Sequence, residues 1–179
     1  MTPLHDLFCI GADGLVGHIA GFRLGRLPDV FVEWAEIAEA LGHAALLVDT
    51  LRRRLGMRRF TSAVVHPHAA HSFLTRVGPD GRAQTLQLSK PPNAASELLH
   101  GSALDEAVVC LAQCVRELAE RAAELGHDVS GLAPIEGDKI GGVSMRFAVN
   151  QDGSWTRAMR LFLINLHCLC RCAVERGAN

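Results

Sequence analysis

Between Val32 and Gly56 the residues Trp34, Ile37, Leu41, Ala44, Val48, Leu51 and Leu55 recur at alternating steps of three and four, the spacing that lines one face of an α-helix. The stretch predicts a buried amphipathic helix. Glu33, Glu36 and Glu39 near its start and Arg52, Arg53 and Arg54 near its end oppose the helix macrodipole, and Gly56 offers a left-handed stop. The same period returns twice. Leu104, Val108, Leu111, Val115, Leu118, Ala122 and Leu125 mark a second helix, behind an N-cap signature at Ser102 and Asp105 and closed by Gly126. Trp155, Met159, Phe162, Leu166, Leu169 and Ala173 mark a third, from about Ser154 to Arg176, with Leu161, Leu163, Ile164 and Cys168 widening its apolar surface. Arg157, Arg160, Asn165 and Arg171 interrupt that surface and argue against membrane insertion.

The stretches between the helices read as short strands. Asp6 to Ile10 is a strand, Gly11-Ala12-Asp13-Gly14 turns the chain, and Val16 to Leu24 returns, the run Gly21 to Pro28 (GFRLGRLP) leaving through a turn. Arg59 to Val65 and Ser72 to Val77 are β-prone, and Gly78-Pro79-Asp80-Gly81 leads into Arg82 to Leu88, which alternates as a half-buried strand does. Ala133 to Gly142 suits an irregular hairpin, and Val143 to Val149 is a further strand. The expected fold is therefore α+β, one globular domain over residues 1–179 of three strand-strand-helix pseudo-repeats, about 6–56, 57–126 and 127–177.

Composition narrows the function classes. With 179 residues the chain can bury a core without staples. The formal net charge is -1, so no overall field favours nucleic acid, and any anionic contact must be local. The beginning, MTPLHDLF, lacks the basic stretch and apolar core of a signal peptide, which makes a cytoplasmic, reducing setting and free thiols the expectation.

Candidate chemistry is sparse. His66, His68 and His71 (HPHAAH) form the one imidazole cluster, the basis for an alternative reading as a small metal-dependent enzyme; Pro67 breaks the strand there and no acidic or cysteine partner has ligand-like spacing, which favours a polar turn. Cys168 and Cys172 share a helical face that Cys170 opposes, and Cys110 and Cys114 share another, both better suited to packing than to ligation. Gly142-Val143-Ser144-Met145-Arg146 misses the last glycine of a nucleophile elbow, and no phosphate-binding glycine loop occurs. No catalytic residue, metal site or cofactor is therefore assigned. Arg52, Arg53, Arg54, Arg58 and Arg59 are the densest basic cluster, a contact surface for lipid phosphates or an acidic partner.

Taken together, GFRLGRLP, VEWAEIAEALGHAALLV, KIGGVSM and WTRAMRLFLINLHCL, in that order from Leu7 to Cys172, resemble the C-terminal β-α repeated autophagy-specific (BARA) domain of the Beclin family. The most specific markers are Arg23-Leu24-Gly25-Arg26-Leu27-Pro28 and Trp155-Thr156. The resemblance implies three sheet-and-helix repeats and a non-catalytic scaffold of the class III phosphatidylinositol 3-kinase complex, in autophagy and endosomal sorting. Its implied partners are the catalytic subunit, a regulatory pseudokinase-like subunit and an autophagy- or endosome-specific coiled-coil subunit. It further implies a cytoplasmic protein, peripheral on autophagic and endosomal membranes, with weak lipid contact and no nucleic acid. The family's membrane loop carries three aromatic residues, and the matching positions here are Leu98, Leu99 and His100. Two leucines supply apolar area worth about 3 to 6 kcal/mol at most, so lipid contact through this tip serves through avidity in an assembly. A protein-only interaction module is the other alternative. The family's coiled coil, which precedes this domain, has no counterpart in the sequence.

Overall fold

The computed structural model describes residues 4–89, 102–148 and 150–175. A short helix α1 (Leu4–Phe8) precedes strands β1 (Gly11–Asp13), β2 (Val16–Ile19) and β3 (Phe22–Leu24), then helix α2 (Trp34–Arg54). Strands β4 (Val64–His66), β5 (Phe73–Val77) and β6 (Ala83–Gln87) lead to α3 (Ala103–Glu124). Strands β7 (Ile135–Glu136), β8 (Lys139–Ile140) and β9 (Val143–Ser144) lead to α4 (Asp152–Glu175). Each trio is an antiparallel sheet in sequence order.

Each long helix packs on the sheet before it and on the sheet after it. Helix α2 lies on β2 and β3 and reaches β4, and α3 lies on β5 and β6 and reaches β7. The last helix completes a ring: α4 lies on β8 and β9 and returns to β2, β3 and α1 at the start of the chain. All three long helices also touch one another. The core sits where their apolar stripes meet, with Ile37, Leu41, Val48, Leu51, Leu111, Leu118, Met159, Phe162 and Leu166 almost wholly buried. Each such side chain contributes roughly 1.5–3 kcal/mol by leaving water. At one end Trp34, Phe147 and Trp155 form a ring cluster with centroids 5.2, 5.3 and 6.0 Å apart, two of the pairs edge-on.

The predicted closures of α2 and α3 and the predicted N-cap of α3 hold, while α4 starts at Asp152 and its expected end at Arg176 lies outside the described residues. After α2, the Gly56 and Met57 N–H groups donate back to the carbonyls of Arg53 (3.1 Å) and Arg52 (2.9 Å), with Gly56 at φ 71. Gly126 and His127 repeat that pattern on Ala123 and Ala122. The capping box is complete: Ser102 Oγ accepts from the Asp105 N–H (3.2 Å), and Asp105 Oδ2 accepts from the Ser102 N–H (2.8 Å).

The short elements differ from the sequence reading. Asp6 to Ile10 is not a strand: Leu4 and Phe8, four apart, are buried while Leu7 is 59% exposed, so the local period is helical. The return from Val16 to Leu24 breaks at Ala20 and Gly21, both at positive φ, and becomes two strands. Of Arg59 to Val65 only Val64 and Val65 pair, in a strand that runs on to His66, and of Val143 to Val149 pairing is confined to Val143–Ser144. Beyond Ser144 the Met145 and Phe147 amides bond to the Asp138 carbonyl (2.8 Å) and to Asp105 Oδ1 (2.7 Å) instead of to a strand. The first sheet thus has three strands where two were expected, the second and third have the three β segments read there, and the strand-strand-helix unit becomes three strands and a helix within the α+β class.

Candidate functional site

The basic end of α2 is the first candidate. Asp49, 7% exposed, holds Arg52 through Oδ1 (Nε 3.0 Å, Nη2 2.9 Å) and Arg53 through Oδ2. Arg52 Nη1 also donates to the carbonyls of Met57 (2.9 Å) and Arg58 (2.8 Å), which have already left the helix. Arg52 is therefore a brace that folds the chain back over the helix end, and its charge is met by Asp49. Arg53, Arg58 and Arg59 are exposed and Arg54 is half-buried, so the outward charge comes from the later members of the cluster. Leu98, Leu99 and His100 lie outside the described residues.

The three histidines do not converge. His66 stacks on Phe73, its partner across the strands, at 4.6 Å and 13°, and its Nε2 lies 3.0 Å from Thr75 Oγ1. His68 stacks on the same ring at 5.6 Å. His71 lines a different cleft of about 630 Å³, with Phe22, Glu36 and Glu39. Among the described residues no group of three His, Cys, Asp or Glu side chains is placed to hold a metal ion. The turn is instead a packing device. Ser72, 1% exposed, accepts the His68 N–H (2.8 Å) and donates to the Ala69 carbonyl (2.7 Å). That carbonyl sits where a Cβ on Gly42 would be, at 1.9 Å. The loop thus rests directly on the backbone of α2.

Polar side chains elsewhere join the helices to the strands and loops around them and, at Glu106, one unit to the next. Arg23 on β3 makes a paired contact with Glu36 on α2, with two bonds of 2.9 Å to Oε1 and Oε2, and its own N–H adds a third. The bond from Arg23 holds the Glu36 carboxyl below the usual range. Glu106 on α3 accepts from Arg146 (2.9 Å) and Arg76 (3.3 Å), and Arg146 also bonds Asp138 (2.8 Å). Burial works to raise the Glu106 carboxyl, and the two guanidinium groups outweigh it and leave it lowered. Glu117 accepts the backbone N–H groups of Thr61 (2.6 Å) and Ser62 (3.0 Å); these too outweigh burial and lower its pKa. Asn165, 2% exposed, pairs with both the N–H and the C=O of Ala133 at 2.9 Å.

The seam between the first unit and α4 explains the two motif fragments. Thr156 Oγ1 accepts the Arg26 N–H (2.8 Å) and donates to the Arg26 carbonyl (2.5 Å). A Cβ on Gly25 would meet Thr156 Cγ2 at 2.7 Å, so the close approach requires glycine there. The Arg26 guanidinium then covers the Trp34 ring at 4.8 Å and the Phe31 ring at 4.9 Å. Sequence inspection marks GRLP and WT as distinctive, and their pairing across 130 positions is visible only in three dimensions. The buried thiols belong to packing: burial pushes Cys170 up to about 12 and raises Cys110 and Cys114 as well, away from the thiolate form that chemistry needs.

These features define a class: a repeat-built α+β module whose charged and amide side chains fasten its helices, strands and loops together. Comparison with known sequences makes that specific. Residues 2–175 match the Apg6 BARA domain model, and the chain belongs to that family. It is 34% identical over 179 residues to vacuolar protein sorting-associated protein 30 of Gibberella zeae, covering 89% of this chain and 37% of that protein. It is 31% identical over 177 residues to vacuolar protein sorting-associated protein atg6 of Schizosaccharomyces pombe, covering 93% and 38%. Human Beclin-2 is 32% identical over 167 residues, covering 88% and 38%. The chain thus spans little more than a third of the length of these relatives. Among the described residues no helix is long and apolar enough to cross a membrane.

Proposed function

We propose that this chain is the scaffold and membrane-docking domain of a Beclin-like subunit of a class III phosphatidylinositol 3-kinase complex, acting in autophagy and endosomal sorting without chemistry of its own. The match of residues 2–175 to the Apg6 BARA domain carries the reading. The names of the relatives, two vacuolar protein sorting-associated proteins among them, one of which is atg6, agree with it. In this reading residues 1–179 form one domain of three units, about 6–56, 57–126 and 127–177. Glu36, Glu117 and Asn165 brace the units internally, and Glu106 with Arg146 and Thr156 with Arg26 lock one unit to another, which supports the rigidity a scaffold needs. Its partners are the catalytic and pseudokinase-like subunits and a coiled-coil subunit.

Lipid contact in this proposal is peripheral and weak, through Leu98, Leu99 and His100, with Arg53, Arg54, Arg58 and Arg59 as the basic surface and Arg52 bracing it. Flotation with vesicles of phosphatidylcholine and phosphatidylserine tests the membrane part. Leu98→Asp/Leu99→Asp and Arg58→Glu/Arg59→Glu should each reduce the floated fraction several-fold, the second only on anionic vesicles. Equal flotation of both variants and wild type removes lipid docking and leaves a protein-only module. Co-expression of the full-length protein with the catalytic and pseudokinase-like subunits tests the scaffold part. Co-elution from a sizing column is expected, and separate elution refutes it.

A further inference from the structure

The outer strands of the three sheets are not alike. β1, β3 and β4 have three residues each, and β7 and β9 have two. The Arg23 amide on β3 is taken by Glu36, and the amides of Thr61 and Ser62 just before β4 are taken by Glu117. β6 differs in every respect. It has five residues, Ala83-Gln84-Thr85-Leu86-Gln87, with no charge, proline or glycine. Shortness, charge, proline and a covering group are what keep an edge from pairing with another chain; β6 lacks the first three, and among the described residues no strand or side chain is bonded to its outer edge.

The ladder with β5 fixes which groups β6 turns outward. The Gly78 N–H donates to the Arg82 carbonyl (2.8 Å) and the Leu88 N–H to the Ser72 carbonyl (3.1 Å), with the register running from Phe73↔Gln87 to Val77↔Ala83 between them. In an antiparallel ladder such mutually bonded pairs alternate with unbonded ones. The even-numbered residues of β6 therefore bond to β5. Ala83, Thr85 and Gln87 direct their N–H and C=O groups to the other side, where the described residues provide no strand. Their side chains are exposed on the outer face of the sheet, and α3 covers the inner one.

We propose that β6 pairs with the β6 of a second copy of this chain, antiparallel about a two-fold axis through Thr85, so that two three-stranded sheets become one of six. The register that centres on Thr85 sets Ala83 opposite Gln87 of the second copy and Thr85 opposite itself. Every outward donor then meets an outward acceptor. Facing threonines are a favourable cross-strand pair, and Arg82 falls opposite Leu88 of the second copy, so no like charges meet. This self-complementarity selects a second copy over an unrelated strand, and because the contact uses the same edge on both sides, assembly stops at two. An interface of one strand pair is small, which places the dissociation constant on the order of 100 µM. The inference stands on strand geometry alone, so it and the lipid-kinase role can fail separately.

Sedimentation equilibrium of the 179-residue chain from about 10 µM to about 1 mM, bracketing that constant, tests it directly. The weight-average mass should rise from 19.3 kDa towards twice that value. Thr85→Pro removes a donor that faces away from β5, and Thr85→Lys sets like charges against each other at the axis. Each should weaken association at least ~10-fold. Thr85→Lys alone decides if the proline variant fails to fold. Hydrogen exchange of the wild type should slow at the Ala83, Thr85 and Gln87 amides as concentration rises. A constant mass of 19.3 kDa, a dimer undiminished by Thr85→Lys, or a dimer whose three edge amides stay unprotected would each overturn the proposal.

Discussion

Gly42 offers a test in which two physical effects have opposite signs. It lies in the middle of α2, where alanine in place of glycine ordinarily stabilises a helix by about 1 kcal/mol. Here the added Cβ would stand 1.9 Å from the Ala69 carbonyl oxygen and 2.6 Å from its carbon, whereas ordinary contact begins at 3.4 Å. The obstruction is backbone, so no side-chain rotation relieves it. Ala69 is itself held at φ 48 and its carbonyl accepts both the Ser72 hydroxyl (2.7 Å) and the Ser72 N–H (3.3 Å). Moving the loop weakens these two bonds, at roughly 0.5–1.5 kcal/mol each, and overpacking adds roughly 1–3 kcal/mol. Steric cost exceeds helix gain, and Gly42→Ala should destabilise the protein by about 3 kcal/mol. Urea unfolding would show this as a lower midpoint at unchanged slope, and heating as a fall of roughly 6–12 °C. An unchanged or raised midpoint would show that the His66–Ser72 loop does not rest on α2.

Phe162→Ala, at a position 1% exposed in the centre of α4, should cost about 3–5 kcal/mol in the same urea experiment, and a loss under about 0.5 kcal/mol would contradict its place in the core. Asn165→Ala strips both hydrogen bonds from Ala133 and should cost about 1–3 kcal/mol, with faster hydrogen exchange at the Ala133 amide; unaltered exchange would refute the pairing. Glu36, Glu106 and Glu117 have folded-state pKa values below the ordinary range, so the stability they confer is fully present above that range and is lost as pH falls through and below about 4.3. The urea midpoint should drop across that interval, and Glu117→Gln should flatten the drop; an equal slope in the variant would remove Glu117 from the account.

The long elements were legible because their signal is redundant. Each α2, α3 and α4 stripe repeats six or seven times, and every member of the α4 stripe is buried. Glycine closures at Gly56 and Gly126 and the capping box at Ser102 rest on local backbone chemistry, which a sequence carries directly. The short strands were not legible to the same degree. A pair of strands two residues long, such as β8 and β9, is too brief for alternation to show, and its pairing depends on the helix beneath it. The first segment failed because Leu4 and Phe8 are a single helical repeat within an apolar run that also fits a strand.

The contact residues were harder still. The arginine cluster reads as uniform in sequence, and only the position of Asp49 separates a brace at Arg52 from outward charge at Arg58 and Arg59. The seams pair residues tens to more than a hundred positions apart, such as Glu106 with Arg146 and Thr156 with Arg26. No local pattern announces such partners. HPHAAH reads as a turn from its broken strand, yet the residue that fixes that turn is Ser72, beside a glycine 30 positions earlier, which no local pattern marks.

The return of α4 to the first sheet has a consequence for how the polypeptide is made. A ribosome releases residues from the front, yet the surface that shields Ile19 and Leu24 includes a helix ending at position 175. Throughout translation the leading sheet and α2 emerge without their final cover, and the closing contact between Arg26 and Thr156 spans 130 residues. Such long-range closure slows folding and lengthens the interval in which greasy surface is open to chaperones or to neighbouring nascent chains. A truncation that removes α4 therefore leaves the opening unit uncovered along with the closing one.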